Sequence, residues 1–282
     1  MGESIIRVAA VGDLHCSKAS QGVFQPLFAH ITEMADILLL AGDLTDLGQP
    51  DEARVLAKEL AVMRAPVAAV LGNHDFESGK ADEVRQILTE AGVTLLDGDA
   101  CEVRGIGIAG VKGFGGGFGH RALSPWGEDT IKIFVREAVD EALKLERALA
   151  RLRTNRLVAL MHYAPIADTV DGEPLEIFPF LGSSRLEEPL GRYPVSLAVH
   201  AHAHRGRSDG TTRNGVPVYN VSMPLLSRVF TDRRPFRLFE LSVAETASSA
   251  VAAVRATSSP LAESIPDPAK RAGDVAQLAQ SG

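Results

Sequence analysis

Short uninterrupted apolar runs alternate along this chain with segments in which apolar residues recur every three or four positions. "SIIRVAAVG" from Ser4, "DILLLAG" from Asp36 and "PVAAVLG" from Pro66 are apolar runs closed by glycine, and they predict buried strands. Between them "GVFQPLFAHITEMA" and "PDEARVLAKELAVMR" carry the helical period, the second opening on Pro50 with acids in its first turn. "KADEVRQILTEAG" predicts a third helix, stopped at Gly92. "VTLLDG", "CEVRG" and "IGIAGVKG" then read as consecutive strands with tight turns, and "DTIKIFVREAVDEALKLERALARLR" as a long helix. Further strands are expected in "RLVALM", "VSLAVH", "VPVYNV" and "FRLFELSV", with a short helix near "SSRLEEPLG". A βαβα opening followed by a half that looks antiparallel argues for a mixed α/β sandwich rather than a plain doubly wound sheet.

From Glu245 the pattern fades into Ala, Ser, Pro and small polar residues, which bury little; residues 1–244 are therefore read as one globular domain and 245–282 as a flexible tail. Composition narrows the class. In 282 residues, 45% are apolar and 23% charged, the balance of a soluble globular enzyme. A net charge of −7 argues against a general affinity for nucleic acid or anionic membrane. Cys16 and Cys101 are too few for a disulfide framework and suit a reducing cytoplasm. The first apolar run is too short to span a membrane. Cytoplasmic location is the expectation.

The candidate chemistry lies at strand ends. "VAAVGDLH", "ILLLAGDL" and "VAAVLGNHD" each run from an apolar strand through Gly to Asp or Asn. Asp13, Asp43 and Asn73 stand thirty residues apart in turn, one βαβ unit per step. Neighbouring parallel strands would deliver these oxygens to one crevice at the carboxyl edge of the sheet. Nitrogen donors accompany them: His15, His74, His162 after "RLVALM", and the comb His200, His202, His204 after "VSLAV". Mixed Asp, Asn and His donors suit Mn²⁺, Fe²⁺ or Zn²⁺ better than Ca²⁺ or Mg²⁺, and they are too many for one tetrahedral ion. Alternation alone leaves open whether His200 and His202 or His202 and His204 form the binding pair.

These blocks, Asp13-x-His15, Gly42-Asp43, Gly72-Asn73-His74-Asp75, His162 in "MHYAP" and His202-x-His204, resemble in order the motifs of the calcineurin-like metallophosphoesterases. The resemblance implies a four-layer αββα sandwich of two mixed sheets and a hydrolase of phosphate esters with two divalent ions (Mn²⁺, Fe²⁺/Fe³⁺ or Zn²⁺). It also favours His202 and His204, because a small residue precedes the pair, although Ala201 stands where the family usually has glycine. Carried over residue by residue, it assigns Asp13, His15 and His204 to one ion and Asn73, His162 and His202 to the other, with Asp43 bridging. A metal-bridging hydroxide is then the implied nucleophile. His74 would act as acid or charge stabiliser, and Asp75 would orient it.

A small phosphodiester is the expected substrate, with a phosphomonoester, a phosphoprotein or a nuclease substrate as alternatives. A binding scaffold that has lost catalysis fits less well, since no ligand position is lost. His30 reads as structural and Cys16 as packing. The Gly-rich stretch "KGFGGGFGHRALSPWG", with His120, has a claim to substrate contact as a long loop. The dinucleotide-like spacing of Gly105, Gly107 and Gly110 lacks the helix that such a fingerprint needs. The arginines between Arg205 and Arg237 form a basic stretch that is either a phosphate seat or solvated surface.

Overall fold

A computed structural model describes residues 3–244 together with Arg255 and Ala256. The expected flexible tail otherwise lies outside the described residues. Two sheets are stacked face to face. The first is ordered β11-β1-β2-β3-β4, from β1 (Glu3–Val11), β2 (Ile37–Ala41), β3 (Val67–Val70), β4 (Val93–Leu95) and β11 (Arg237–Ala244). The second is ordered β12-β5-β6-β7-β8-β10-β9. It comprises β5 (Asp99–Val103), β6 (Ile106–Val111), β7 (Arg156–Met161), β8 (Val195–His200), β9 (Asp209–Thr211), β10 (Pro217–Asn220) and β12 (Arg255–Ala256).

The period-2 alternation of each strand sorts its side chains into layers. Val8 and Ala10 of β1, Ile37 and Leu39 of β2, and Ala68 and Val70 of β3 face Ile106, Ile108, Val158, Leu160, Leu197 and Val199 of the other sheet. The intervening residues Ala9, Leu38, Leu40 and Ala69 pack outward against α1 (Gln25–Met34), α2 (Pro50–Leu60) and α3 (Ala81–Glu90). On the far side Ala109, Val111, Ala159 and Met161 pack against Leu145, Ala148 and Leu149 of α4 (Asp129–Arg151). The layers are thus α, β, β, α, the sandwich expected from the sequence. Central strands covered on both faces need no polar face, which is why "ILLLA" is buried at all five positions.

The sequence expectation fails in the second half. Strands β6, β7, β8 and β10 run parallel; among the described residues antiparallel pairing is confined to β5–β6, β9–β10 and β12–β5 there, and to β1–β11 in the first sheet. The physical reason is the 23-residue α4, a crossover long enough to return the chain to its starting edge before β7. "VTLLDG" is likewise not in a meander with the next two runs. It forms the edge strand β4 beside β3, and the turn through Gly98 carries the chain into the other sheet. The helix near "SSRLEEPLG" is a single turn, α6 (Glu187–Leu190), and α5 (Phe178–Leu181) is equally short. Pattern reading passed over β9 and α7 (Met223–Val229), each too brief to show a period. No helix among the described residues is long and apolar enough to cross a membrane.

Candidate metal centre

The carboxyl ends of β1, β2, β3, β7 and β8 meet at one edge of the sandwich, and the polar residues that follow them turn into a common cleft. Asp13, His15, Asp43 and His202 all adopt left-handed backbone, with φ of 54°, 44°, 46° and 69°. Non-glycine residues in that region are uncommon and persist where surrounding bonds hold them. Here the holding bonds are strand-like: Asp13 N–H donates to Gly42 O, His15 N–H to Asp43 O, and His202 N–H to the Asp13 carboxylate. Gly72 is obligatory for a different reason, since a Cβ there would lie 2.2 Å from the backbone nitrogen of Asp43.

Three groups of donors result. Asp13, His15 and His204 bring one ligand atom each within 4.8 Å of one another, as do Asp43, His162 and His202, and as do His15, Asp46 and His74. Asp13 Oδ2 lies 3.3 Å from His204 Nε2. Asp43 faces both main groups: Oδ1 is 3.4 Å from His162 Nε2 and Oδ2 is 3.9 Å from His15 Nε2. Asn73 Oδ1 lies 2.8 Å from His162 Nε2. All seven expected donors therefore converge.

The hydrogen-bond logic fits cations. His162 Nδ1–H donates to the Ala41 carbonyl at 3.0 Å, so its Nε2 carries a lone pair. That lone pair faces two further acceptors, Asn73 Oδ1 and Asp43 Oδ1, with no proton to share. His202 Nε2–H donates to the Phe180 carbonyl at 3.2 Å, leaving Nδ1 free. His15 Nε2 is buried and has no hydrogen-bond partner. Imidazoles anchored to backbone carbonyls, as His162 and His202 are, are usual metal ligands.

Electrostatics agrees. Burial is the largest effect on His162, His202 and His15 and pulls all three below the ordinary imidazole value, His202 to about 4, so they stand neutral, as ligands must. Burial also pushes Asp43 up to about 9, helped by the charges of Asp13 and Asp75. Asp13 goes the other way: burial opposes its ionisation, but the hydrogen bond from His204 and the charge of that ring outweigh it. That same bond raises His204. A pocket that makes one of its own carboxylates hold a proton is a pocket short of positive charge.

His200 and Asp75 are the informative cases. His200 ends β8 fully buried, with Nδ1 on its neighbour's carbonyl (Ala201 O) at 2.8 Å and Nε2 on Thr169 Oγ1 at 2.7 Å, and it joins none of the three groups. The positive φ of the comb falls on His202, and Ala201, buried and outside that region, is unstrained in the family's glycine position. Asp75 does not orient the His74 ring. His74 Nδ1–H donates instead to the Asp46 carbonyl at 2.7 Å. The Asp75 carboxylate turns into the protein and accepts the N–H groups of Gly72, Leu44 and Thr45. A side chain pointing away from its sequence neighbour is common in a tight 3₁₀ turn such as His74–Phe76.

Sequence reading missed Asp46 and Phe180. Asp46 lies three residues after Asp43 in "GDLTD", a visible carboxylate, with Oδ1 3.7 Å from His15 Nδ1. Phe180 contributes a backbone carbonyl, for which no sequence signal exists. It brings the segment after the acidic loop over the cleft. Of the basic stretch, Arg207, Arg213 and Arg237 are taken by Asp171, Glu187 and Asp209, whereas Arg228 donates to the His204 carbonyl. His120 lies on the exposed turn Gly119–Arg121 outside the three groups. His30, on α1, packs its ring against Phe236. Burial drives both cysteine thiols up to about 12, which leaves them unreactive.

An αββα sandwich with histidine, carboxylate and amide donors gathered at its strand ends defines a metallophosphoesterase. Residues 6–206 match the calcineurin-like phosphoesterases, and the chain belongs to that family. No sequence among curated proteins matches it. Among solved structures it is similar to the phosphopantetheinyl hydrolase of Mycobacterium tuberculosis, with a TM-score of 0.61 and 18% identity over 82% of this chain and 95% of that one. Weaker likeness extends to TT1561 of Thermus thermophilus (TM-score 0.47, 15% identity, 79% and 92% covered). GAP50, the anchor in the inner membrane complex of Plasmodium, is also similar (TM-score 0.49, 13% identity, 78% and 72% covered). By family the chain is a metal-dependent phosphoester hydrolase, with donor clusters suited to metal ions.

Proposed function

We propose that this protein is a dinuclear metal-dependent phosphodiesterase acting on a small substrate. The observation that carries the reading is the convergence of acceptors on Asp43, whose two oxygens face His162 Nε2 on one side and His15 Nε2 on the other. In this reading Asp13, His15 and His204 would hold one ion and Asn73, His162 and His202 the other, with Asp43 available to both. Two bound Mn²⁺, iron or Zn²⁺ ions would supply Lewis acidity, neutralising the phosphoryl oxygens and activating water.

The chain's own groups do the rest. Asn73 adds an oxygen without adding negative charge. His74, its ring fixed through Nδ1–H, points Nε2 toward Asp43 and the open cleft, where a proton held at Nε2 serves the leaving ester oxygen. Asp75 acts as a positioning residue for the loops that carry Asp43 and Asn73. With the ions bound, Asp13, Asp43 and Asp46 would cancel most of their positive charge while neutral imidazole ligands add none, a balance that favours the monoanion of a diester over the dianion of a monoester. The likeness to the phosphopantetheinyl hydrolase is one of fold, so the substrate class rests on the charges of the site. Buried, reduced cysteines support a cytoplasmic setting.

The test is hydrolysis of bis(p-nitrophenyl) phosphate and p-nitrophenyl phosphate by the Mn²⁺-reconstituted protein, with and without chelator. Chelator-sensitive cleavage favouring the diester supports the proposal, and preference for the monoester replaces it with a phosphatase. No cleavage of either by protein that retains two ions per chain makes it a binding scaffold.

A further inference from the structure

Lys112 brings its side-chain ammonium to the edge of the cleft, where burial pulls it below the ordinary lysine value and the charges of Glu141 and Glu137 partly offset that pull. It stands one residue beyond β6, at the head of the Gly-rich stretch, and among the described residues its ammonium enters no ion pair. Its hydrogen bond goes to the carbonyl of its own neighbour, Gly113, at 2.7 Å. Three rings wall it in, with centroids 4.8 Å (Phe114), 5.3 Å (Tyr163) and 5.9 Å (Phe76) from Nζ. The buried acid of α4, Glu141, is spent on Lys144 and on the Gly113 N–H.

This cluster is joined to the metal centre. Phe76 closes the turn that His74 opens. Tyr163 follows His162, and its ring lies 4.6 Å from that of His202 and 5.4 Å from that of His162. The Lys112 carbonyl accepts the N–H groups of both His162 and Tyr163. One ring thus separates the ammonium from the His202 ligand position. An ordinary snorkelling lysine buries its stem and extends its charge into water. Lys112 instead folds a half-buried charge among aromatic rings, with two of its three N–H donors uncommitted. Aromatic faces attract a cation but cannot accept those donors as an oxyanion would.

We propose that Lys112, with Phe76, Phe114 and Tyr163, forms a second subsite that binds an anionic group, carboxylate or phosphate, on the substituent of the ester being cleaved. The rings seat the body of that substituent, and the ammonium takes its terminal oxygens. The inference rests on the phosphoesterase reading and narrows it to esters carrying a second negative charge about one ring away from the scissile phosphorus.

A pair of non-hydrolysable probes tests it. Phenylphosphonate and 4-carboxyphenylphosphonate share a head group and differ in a distal carboxylate. By calorimetry on metal-loaded protein, the carboxylated probe is expected to bind at least about tenfold tighter, as one charge-assisted hydrogen bond supplies. Lys112→Met should abolish that preference while changing phenylphosphonate affinity less than about twofold, and Lys112→Arg should keep most of it. The substitution retains the main-chain carbonyl that holds His162, so metal content and melting temperature should be unchanged. If Lys112→Met fails that check, Lys112→Gln carries the comparison. Equal binding of the two probes by the unmodified protein, or a preference that survives in the variant, overturns the subsite alone. Failure of metal-loaded protein to bind either probe overturns the subsite, and if bis(p-nitrophenyl) phosphate is also left uncleaved the phosphoesterase reading falls with it.

Discussion

The hydroxyl of Thr45 donates to the buried carboxylate of Asp75 at 2.6 Å, tying the loop after β2 to the loop after β3. The same carboxylate accepts the N–H groups of Thr45, Leu44 and Gly72 at 2.8, 3.1 and 2.8 Å. These loops carry Asp43 and Asn73. Asp75→Ala would leave three buried N–H groups without acceptors, each costing about 1–3 kcal/mol. The expected outcome is a loss on the order of 3 kcal/mol, or a melting point lower by roughly 10 °C, together with reduced metal content. Asp75→Asn, which keeps one oxygen acceptor, should be milder. An unchanged melting curve for Asp75→Ala would show that the carboxylate is dispensable to the loops.

That bond also shows what the sequence could not disclose. The Asp75 carboxylate is visible as part of "GNHD", but its direction depends on where the β2 loop lies in space. The same limit hides the Phe180 carbonyl and the parallel course of β6 to β8. Strand and donor positions are legible because apolar runs ending in Gly-Asp or Gly-Asn have a local cause, the need to turn sharply at the edge of a buried sheet. Strand direction and second-layer contacts have none. Lys112 heads the Gly-rich stretch in the sequence, yet only the fold brings Phe76 and Tyr163 around it.

Ala201 is a buried methyl rather than a strained one, and it meets Gly12 across the site. A Cβ built at Gly12 would lie 2.6 Å from the Ala201 Cβ and 3.0 Å from the Ala41 Cβ and carbonyl oxygen. Gly12→Ala should therefore cost about 1–3 kcal/mol through overpacking. Ala201→Gly alone should cost about 0.5–1 kcal/mol in backbone freedom and leave turnover intact. Combined, the two should be less harmful than their sum by at least about 0.5 kcal/mol. Additive losses in a chemical-denaturation cycle would mean that the two residues do not meet.

The histidine comb separates by metal content. His202→Ala and His204→Ala should each lower bound metal toward one ion per chain in elemental analysis, and Asp43→Ala should lose both. His200→Ala should keep two ions but lower the melting point, because it leaves Thr169 Oγ1 and a buried cavity behind. His74→Ala should also keep two ions while losing at least about 100-fold in kcat, the usual scale of a lost general acid. Two ions retained in Asp43→Ala would rule out its bridging role.

Without its metals, the protein's stability depends on pH through buried groups of the site. Burial holds the folded pKa of His200 and His202 at about 4, below their ordinary 6.5. Between those values the unfolded chain binds more protons than the folded one, so these residues make stability rise with pH up to about 6.5. Asp43 has the opposite sign. Its folded pKa, raised by burial and by Asp13 and Asp75 to about 9, lies above its unfolded value. Its contribution is full below the unfolded pKa and is lost as pH rises through the folded one. His204, also raised, acts in the same direction above 6.5. From about pH 6.5 to 8.5 the histidines that opposed Asp43 are neutral in both states, and the chelator-treated protein should melt at steadily lower temperature. Bound divalent ions take the place of the Asp43 proton, so the loaded protein should lose this slope. Metal titration near pH 7 should accordingly release protons, seen as a binding heat that varies with the ionisation heat of the buffer. A chelator-treated protein whose melting point is flat or rising over this range would refute the assignment of that proton to Asp43.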